Sequence, residues 1–308
     1  MSAASSTVDE APSLPAALFD LSRGRQALLS IAQPGLAAVL AAGGLPGPRT
    51  IVIGLITAAA GFLAVFSLND VLDRRVDAAA VRVGKGTLSR FDLDAAFLRH
   101  PLAQGQLSLK TSLLWIGGLA VVAMVGALLL DPLCLVFFLA AAALEALYCA
   151  LRSVTWTKTV VSGLMVGAGG LAGWVAVGPL SREAIPVFLF LALWEIGGRN
   201  LANDLADLGP DAAVGLRTVA TTFGARTAAR ANLAVAMATL VAVLALQLDA
   251  VALAASLLAG VWLVALPALR LWREPTSERA GWYFNRASLY PVAVLLSVCA
   301  GWLMLGRP

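Results

Sequence analysis

Residues 69 to 77 read NDVLDRRVD and residues 203 to 211 read NDLADLGPD. Both follow Asn-Asp-x-x-Asp-x-x-x-Asp, and together they hold six of the 12 aspartates in the chain. On a helix the spacing i, i+3, i+7 sets all three carboxylates on one face. Asp70, Asp73 and Asp77 satisfy this on a continuing helix; Asp204, Asp207 and Asp211 do so until Gly209-Pro210 distorts or ends theirs. Three like charges on one face raise each other's pKa unless a cation balances them. A hard divalent ion such as Mg²⁺ provides that balance, taking oxygen ligands from one or two carboxylates and from substrate phosphates. Two acidic faces opposed across a cleft therefore suit a diphosphate, whose departure the metal assists as a Lewis acid. One such copy alone reads equally well as a solvated helix end. Ion sites of transporters lie near the bilayer midplane, whereas these carboxylates fall at the rim of apolar runs.

The elements that must position them are membrane helices. The chain of 308 residues is 60% hydrophobic and only 13% charged, with a mean hydropathy of +0.86; a soluble domain carries about 25% charge. Lipid offers the backbone no hydrogen-bond partner, so only helices or closed barrels cross it. The apolar runs are continuous rather than alternating, which selects helices. Nine spans are expected near 27–44, 50–69, 112–130, 132–150, 158–178, 186–203, 231–248, 250–271 and 285–305. The fold class is thus an all-α polytopic membrane protein, nine helices around a central cavity opening near the cytoplasmic side. Of the 22 Lys and Arg residues, only Arg49, Arg182 and Arg307 fall on the side opposite the motifs. This puts the N-terminus in the cytoplasm and the C-terminus outside, in an inner or plasma membrane. Residues 1–26 are expected to be a flexible cytoplasmic tail and 27–308 a single transmembrane domain. A long cytoplasmic loop spans 70–111, in which Phe91, Leu93, Phe97 and Leu98 suggest one face of a short helix. Cys134, Cys149 and Cys299 lie in apolar runs without metal-ligand spacing. No basic stripe is interleaved with aromatics, which argues against nucleic acid as a partner.

With both motifs in place, the sequence resembles the UbiA superfamily of intramembrane prenyltransferases, which has nine transmembrane helices and an aspartate-rich motif after the second and the sixth. Arg99-His100-Pro101-Leu102 resembles the family's N-R-P-L segment. Tyr148 with Arg152 resembles its Tyr-x-x-x-Lys element, and Gly215-Leu216-Arg217-Thr218 its Gly-x-Lys-[Ser/Thr]. The resemblance implies that Asp70, Asp73, Asp77, Asp204, Asp207 and Asp211 bind Mg²⁺ and a polyprenyl diphosphate, whose ionisation yields an allylic cation. It extends the diphosphate site to Asn69, Asn203 and Arg99, and the catalytic set to Asp70, Asp73, Asp204, Asp207 and Tyr148. Arg152, Lys158 and Arg217 are cytoplasmic-side cations able to reach diphosphate oxygens. His100, the only histidine, is read as a loop residue near the site. Glu195 and Arg199 are expected to pair with each other, and Glu145, Asn200 and Phe66 to face the cavity. Phe62, Trp115, Trp174, Trp194 and Tyr290 are further candidates for an aromatic wall.

Two departures bear on the acceptor, which the resemblance implies to be aromatic or lipid. Many aromatic-acceptor members carry Arg-x-Asp-x-Pro in the first span, where this chain has Ser30-Ile31-Ala32-Gln33-Pro34. The cation that meets an acceptor carboxylate is missing, which disfavours a hydroxybenzoate-like acid. The stretch between Asp77 and Pro101 is also longer than usual. A terpene cyclase of the same superfamily, needing no acceptor, is therefore a second expectation, and a non-catalytic scaffold a third.

Overall fold

The computed structural model describes residues 12–82, 93 and 95–304, and within them only helices and turns. Among the described residues, eight helices are long and apolar enough to cross a membrane: Pro48–Ala80, Leu109–Leu130, Pro132–Leu151, Lys158–Val175, Ala184–Ala206, Ala225–Leu244, Ala250–Arg273 and Ser277–Met304. The protein is an all-α, multi-pass membrane protein. In place of the expected first span stand two short helices, α2 (Gly24–Ser30) and α3 (Ala32–Ala42), neither long enough alone to cross.

Prolines explain where the helices break. A proline ring clashes with the carbonyl four residues earlier and removes one N–H. The helix α2 ends at Ser30, four residues before Pro34. The short helix α9 (Leu201–Ala206) ends four residues before Pro210, and the helix Ser277–Ala287 ends four before Pro291. Pro267 stands four residues after Leu263, inside a π-helical turn at Val261–Ala265. Carbonyls released this way need new donors, because lipid supplies none. The Ala287 carbonyl receives the indole N–H of Trp194 at 2.7 Å. A second π-helical turn, Glu195–Asn200, is braced by the Tyr283 hydroxyl, which donates to the Gly197 carbonyl at 3.1 Å.

The long helix α4 (Pro48–Ala80) packs along α5 (Leu109–Leu130). α6 (Pro132–Leu151) packs on α7 (Lys158–Val175), and α7 in turn on α3 and α8 (Ala184–Trp194). Small residues let α7 come close to its neighbours. A Cβ at Gly173 would overlap the Pro34 carbonyl, and one at Gly163 would press on Ile196 and the Ala192 carbonyl. Trp194, Tyr283, Tyr290 and Phe190 fill the interior. Leu114, Val241, Leu258 and Leu303 are exposed, as a lipid-facing surface requires.

The tail and the loop both differ from expectation. Residues 1–11 lie outside the described residues, but 14–21 form helix α1 (Leu14–Leu21) and α2 begins at Gly24. α4 continues through Ala80, so the first motif stands on a continuing helix, as its spacing implies, and the expected loop from residue 70 begins only beyond it. Phe91 lies outside the described residues, and residues 95–100 are not helical. The reason is Asp20. Its carboxylate accepts the backbone N–H groups of Ala96, Phe97 and Leu98 at 2.7, 2.8 and 2.6 Å. Three successive amides turned toward one carboxylate cannot also form helical bonds. Leu93 and Ala95 are buried beside this clamp, while Phe97 is exposed. Asp20→Ala is expected to release the segment, read as faster amide hydrogen exchange at residues 96–98; unchanged protection there counts against the clamp.

Candidate active site

A polar cavity of about 110 Å³ is lined by Asn69, Asp70, Asp73 and Asp77 from α4 and by Asn203, Asp204, Asp207 and Asp211 from the second motif. The two acidic clusters thus face one space. Asp70 and Asp77 are buried on the uninterrupted helix α4, as the spacing requires. The second motif is split at Asp207, which separates α9 from α10 (Leu208–Ala213) and so turns Asp211 back into the cavity.

Cations meet these carboxylates individually. Arg23 Nη2 donates to Asn69 Oδ1 at 3.0 Å and lies 3.4 Å from Asp70 Oδ1. Arg152 pairs with Asp73. Lys158 Nζ, buried, donates to Asp204 Oδ1 at 2.9 Å and to the Tyr148 hydroxyl at 3.0 Å. Arg99 also lines the cavity. The Tyr148 hydroxyl accepts a second bond from Asn200 Nδ2 at 3.1 Å. A phenol has one proton to give, so with two donors already pointing at its oxygen Tyr148 is set to donate its own. Thr159 Oγ1 donates to Asn200 Oδ1 at 2.7 Å and fixes that amide.

Three residues expected at the cavity stand apart from its lining. Glu145 is buried and accepts from Asn69 Nδ2 at 2.6 Å, holding the asparagine rather than facing the space. Asn200 acts through Tyr148 in the same way. Arg217 is exposed; its backbone N–H donates to the Arg152 carbonyl at 2.8 Å, so it anchors the chain beside Arg152. Conversely, Asp20 and Arg23 line the cavity and carry no motif signal, while His100, expected as a loop residue near the site, lines it as well. The one hint is Asp20 itself, an acid directly after the apolar stretch Ala16-Ala17-Leu18-Phe19. His100 Nδ1 lies 3.3 Å from Asp77 Oδ2 and 3.9 Å from Asp70 Oδ1. Burial opposes the charged imidazole, but Asp77 beside it, with Asp70, outweighs burial and holds its pKa above the ordinary histidine value.

An apolar chamber of about 440 Å³ lies next along the same helices. Phe66 on α4 lines it one turn from Asn69, Ala141 on α6 two turns from Tyr148, and Met165 on α7 two turns from Lys158. Three helices therefore present polar residues first and apolar residues deeper, in one order. Phe62 and Phe66 stack in its wall with ring centroids 6.3 Å apart. Trp115, Trp174, Trp194 and Tyr290 are not in that lining; Trp115 donates to Ser22 Oγ instead. Glu195 and Arg199, 3.6 Å apart as expected of a pair, are the charged residues among those lining the chamber.

Paired carboxylate motifs on membrane helices, with an apolar chamber beneath them, define a polar site set on an apolar cavity within the membrane protein. The profile of the UbiA prenyltransferase family matches residues 29–289, and the chain belongs to that family. Among solved structures, a UbiA homologue from Aeropyrum pernix K1 in its apo form is 18% identical, with a TM-score of 0.72 over 89% of this chain and 97% of that one. A UbiA homologue from Archaeoglobus fulgidus bound to DMAPP and Mg²⁺ is 16% identical, with a TM-score of 0.66 over 92% and 99%. A digeranylgeranylglyceryl phosphate synthase is likewise 16% identical, with a TM-score of 0.66 over 92% and 97%. These share the fold. No curated protein matches the chain.

Proposed function

We propose that the protein is a Mg²⁺-dependent intramembrane prenyltransferase that ionises a polyprenyl diphosphate and passes the allylic group to a lipid or aromatic acceptor. The observation that carries this is the single cavity shared by six motif carboxylates and four cations, set on an apolar chamber. The donor set fits a hard divalent ion. It is built of carboxylate oxygens, and Asp204 Oδ2 is buried with no hydrogen-bond partner. Asp70, Asp73, Asp77, Asp204, Asp207 and Asp211 would hold the metal, which when bound neutralises charge on the departing diphosphate. A relative from Archaeoglobus fulgidus binds DMAPP and Mg²⁺, in keeping with this reading.

The chain's own residues do the rest. Arg23, Arg99, Arg152 and Lys158 bind diphosphate oxygens, and Asn69 and Asn203 flank them. Tyr148 donates its proton to a diphosphate oxygen as the C1–O bond breaks, and the electron pair of that bond leaves with the diphosphate. The chamber holds the isoprenoid chain and keeps water from the cation, with Phe62 and Phe66 presenting their faces. The acceptor carbon or oxygen then bonds to C1 and its proton passes to the Tyr148 phenolate, directly or through water, restoring the phenol. The N-terminus and the cavity mouth face the cytoplasm, as the distribution of basic residues implies.

A second reading is a terpene cyclase. It is favoured by the chamber's charge, since its acid and its cation there are paired with each other, and Ser30 and Ala32 stand where the usual charged residues would be. Purified protein with Mg²⁺ and a C15 or C20 isoprenoid diphosphate, without acceptor, separates the two. No turnover until a lipid or aromatic acceptor is added is the expected result. A cyclic hydrocarbon made without acceptor selects the cyclase, and no diphosphate release in either condition removes both.

A further inference from the structure

His100 has a geometry that diphosphate binding by aspartates does not call for. Its backbone is left-handed, with φ of 52°, a conformation uncommon for residues other than glycine. Such conformations persist only where the surroundings enforce them, and they gather at functional sites. Here a tight turn enforces it: Gln104 N–H donates to the His100 carbonyl at 3.0 Å and Gln106 N–H to the Pro101 carbonyl at 2.8 Å. Gln104 Nε2 donates to the Arg99 carbonyl at 2.6 Å. The turn aims the imidazole at the first motif. Its Nδ1 is buried and makes no hydrogen bond, although two carboxylates lie within 4 Å of it.

We infer that His100 is a nitrogen ligand of the metal held by the first motif, completing with Asp70 and Asp77 a mixed nitrogen and oxygen site for a first-row transition ion such as Mn²⁺. The inference rests on the reading that the motif carboxylates hold a divalent metal. One donor atom from each of the three residues lies within 4.8 Å of the others. An octahedral ion with bonds of about 2.1 Å sets its ligands about 3 to 4.2 Å apart, and the imidazole Nδ1 already stands 3.3 Å and 3.9 Å from the Asp77 and Asp70 oxygens. Carboxylate and water suit Mg²⁺, whereas an imidazole shifts preference toward the transition metals. The loop that Asp20 clamps carries His100 at its next turn, so loop docking and metal binding are linked through one short segment.

Because His100 is the only histidine, the test needs no substitution. Protein carrying no histidine tag is made with ¹⁴N- or ¹⁵N-histidine and loaded with Mn²⁺, and electron spin-echo modulation is recorded. The expected result is a nitrogen modulation that changes with the isotope. Mn²⁺ bound without it overturns the inference and leaves the carboxylate site standing; no bound Mn²⁺ overturns both. In parallel, His100→Ala should weaken Mn²⁺ binding about 10-fold or more in calorimetry and change Mg²⁺ binding far less. An equal loss for both metals, or none, counts against a nitrogen ligand.

Discussion

Asp204→Asn and Asp70→Asn each abolish diphosphate release, by about 10² to 10³-fold or more, measured as pyrophosphate production from an isoprenoid diphosphate. The amide keeps the volume of the side chain and part of its hydrogen bonding but removes the charge. Both residues are buried in the cavity wall, where a charge is worth more than in water. They come from opposite motifs, so each substitution cuts one half of the clamp. A variant that keeps activity within tenfold of the natural protein removes that aspartate from the metal set.

Lys158→Ala is expected to cost both stability and activity. Its ammonium is buried, 2.9 Å from Asp204 and 3.0 Å from Tyr148. Removing one partner of a buried ion pair leaves the other charge uncompensated, at about 3–5 kcal/mol. In metal-free buffer the variant should therefore unfold at clearly lower temperature. Mg²⁺ should then raise its melting temperature more than it raises that of the natural protein, because the metal becomes the main source of positive charge for Asp204. Lys158→Arg keeps the charge and should lie between the two. Equal melting temperatures for Lys158→Ala and the natural protein without metal would mean that the pair does not hold the site together.

Family membership and the paired motifs need nothing beyond local rules, and so do several features of their geometry. The helical period alone puts Asp70, Asp73 and Asp77 on one face, and the ring of Pro210 alone ends α9 at Ala206. The same rule applied to Pro34 would have broken the first expected span at Ser30, where one helix was read instead. The proline is legible in the sequence, but the apolar run on both sides of it outweighs one residue.

Other features have no local cause. Lys158 and Arg152 read equally well as positive-inside anchors; only packing of α7 against the second motif makes Lys158 the partner of Asp204. Arg217, with the same sequence credentials, is exposed. Glu145 looked like a cavity acid and proves to hold Asn69 from behind. Asp20 was placed in a tail, yet it fastens a loop 76 residues downstream.

What the amino-acid order determined unaided was helix, break, face and membrane, since each arises within a few residues of backbone. Which side chains from distant segments share the polar cavity was decided only by tertiary structure. Those contacts depend on how whole helices rotate and stack, and no spacing along the chain encodes that rotation.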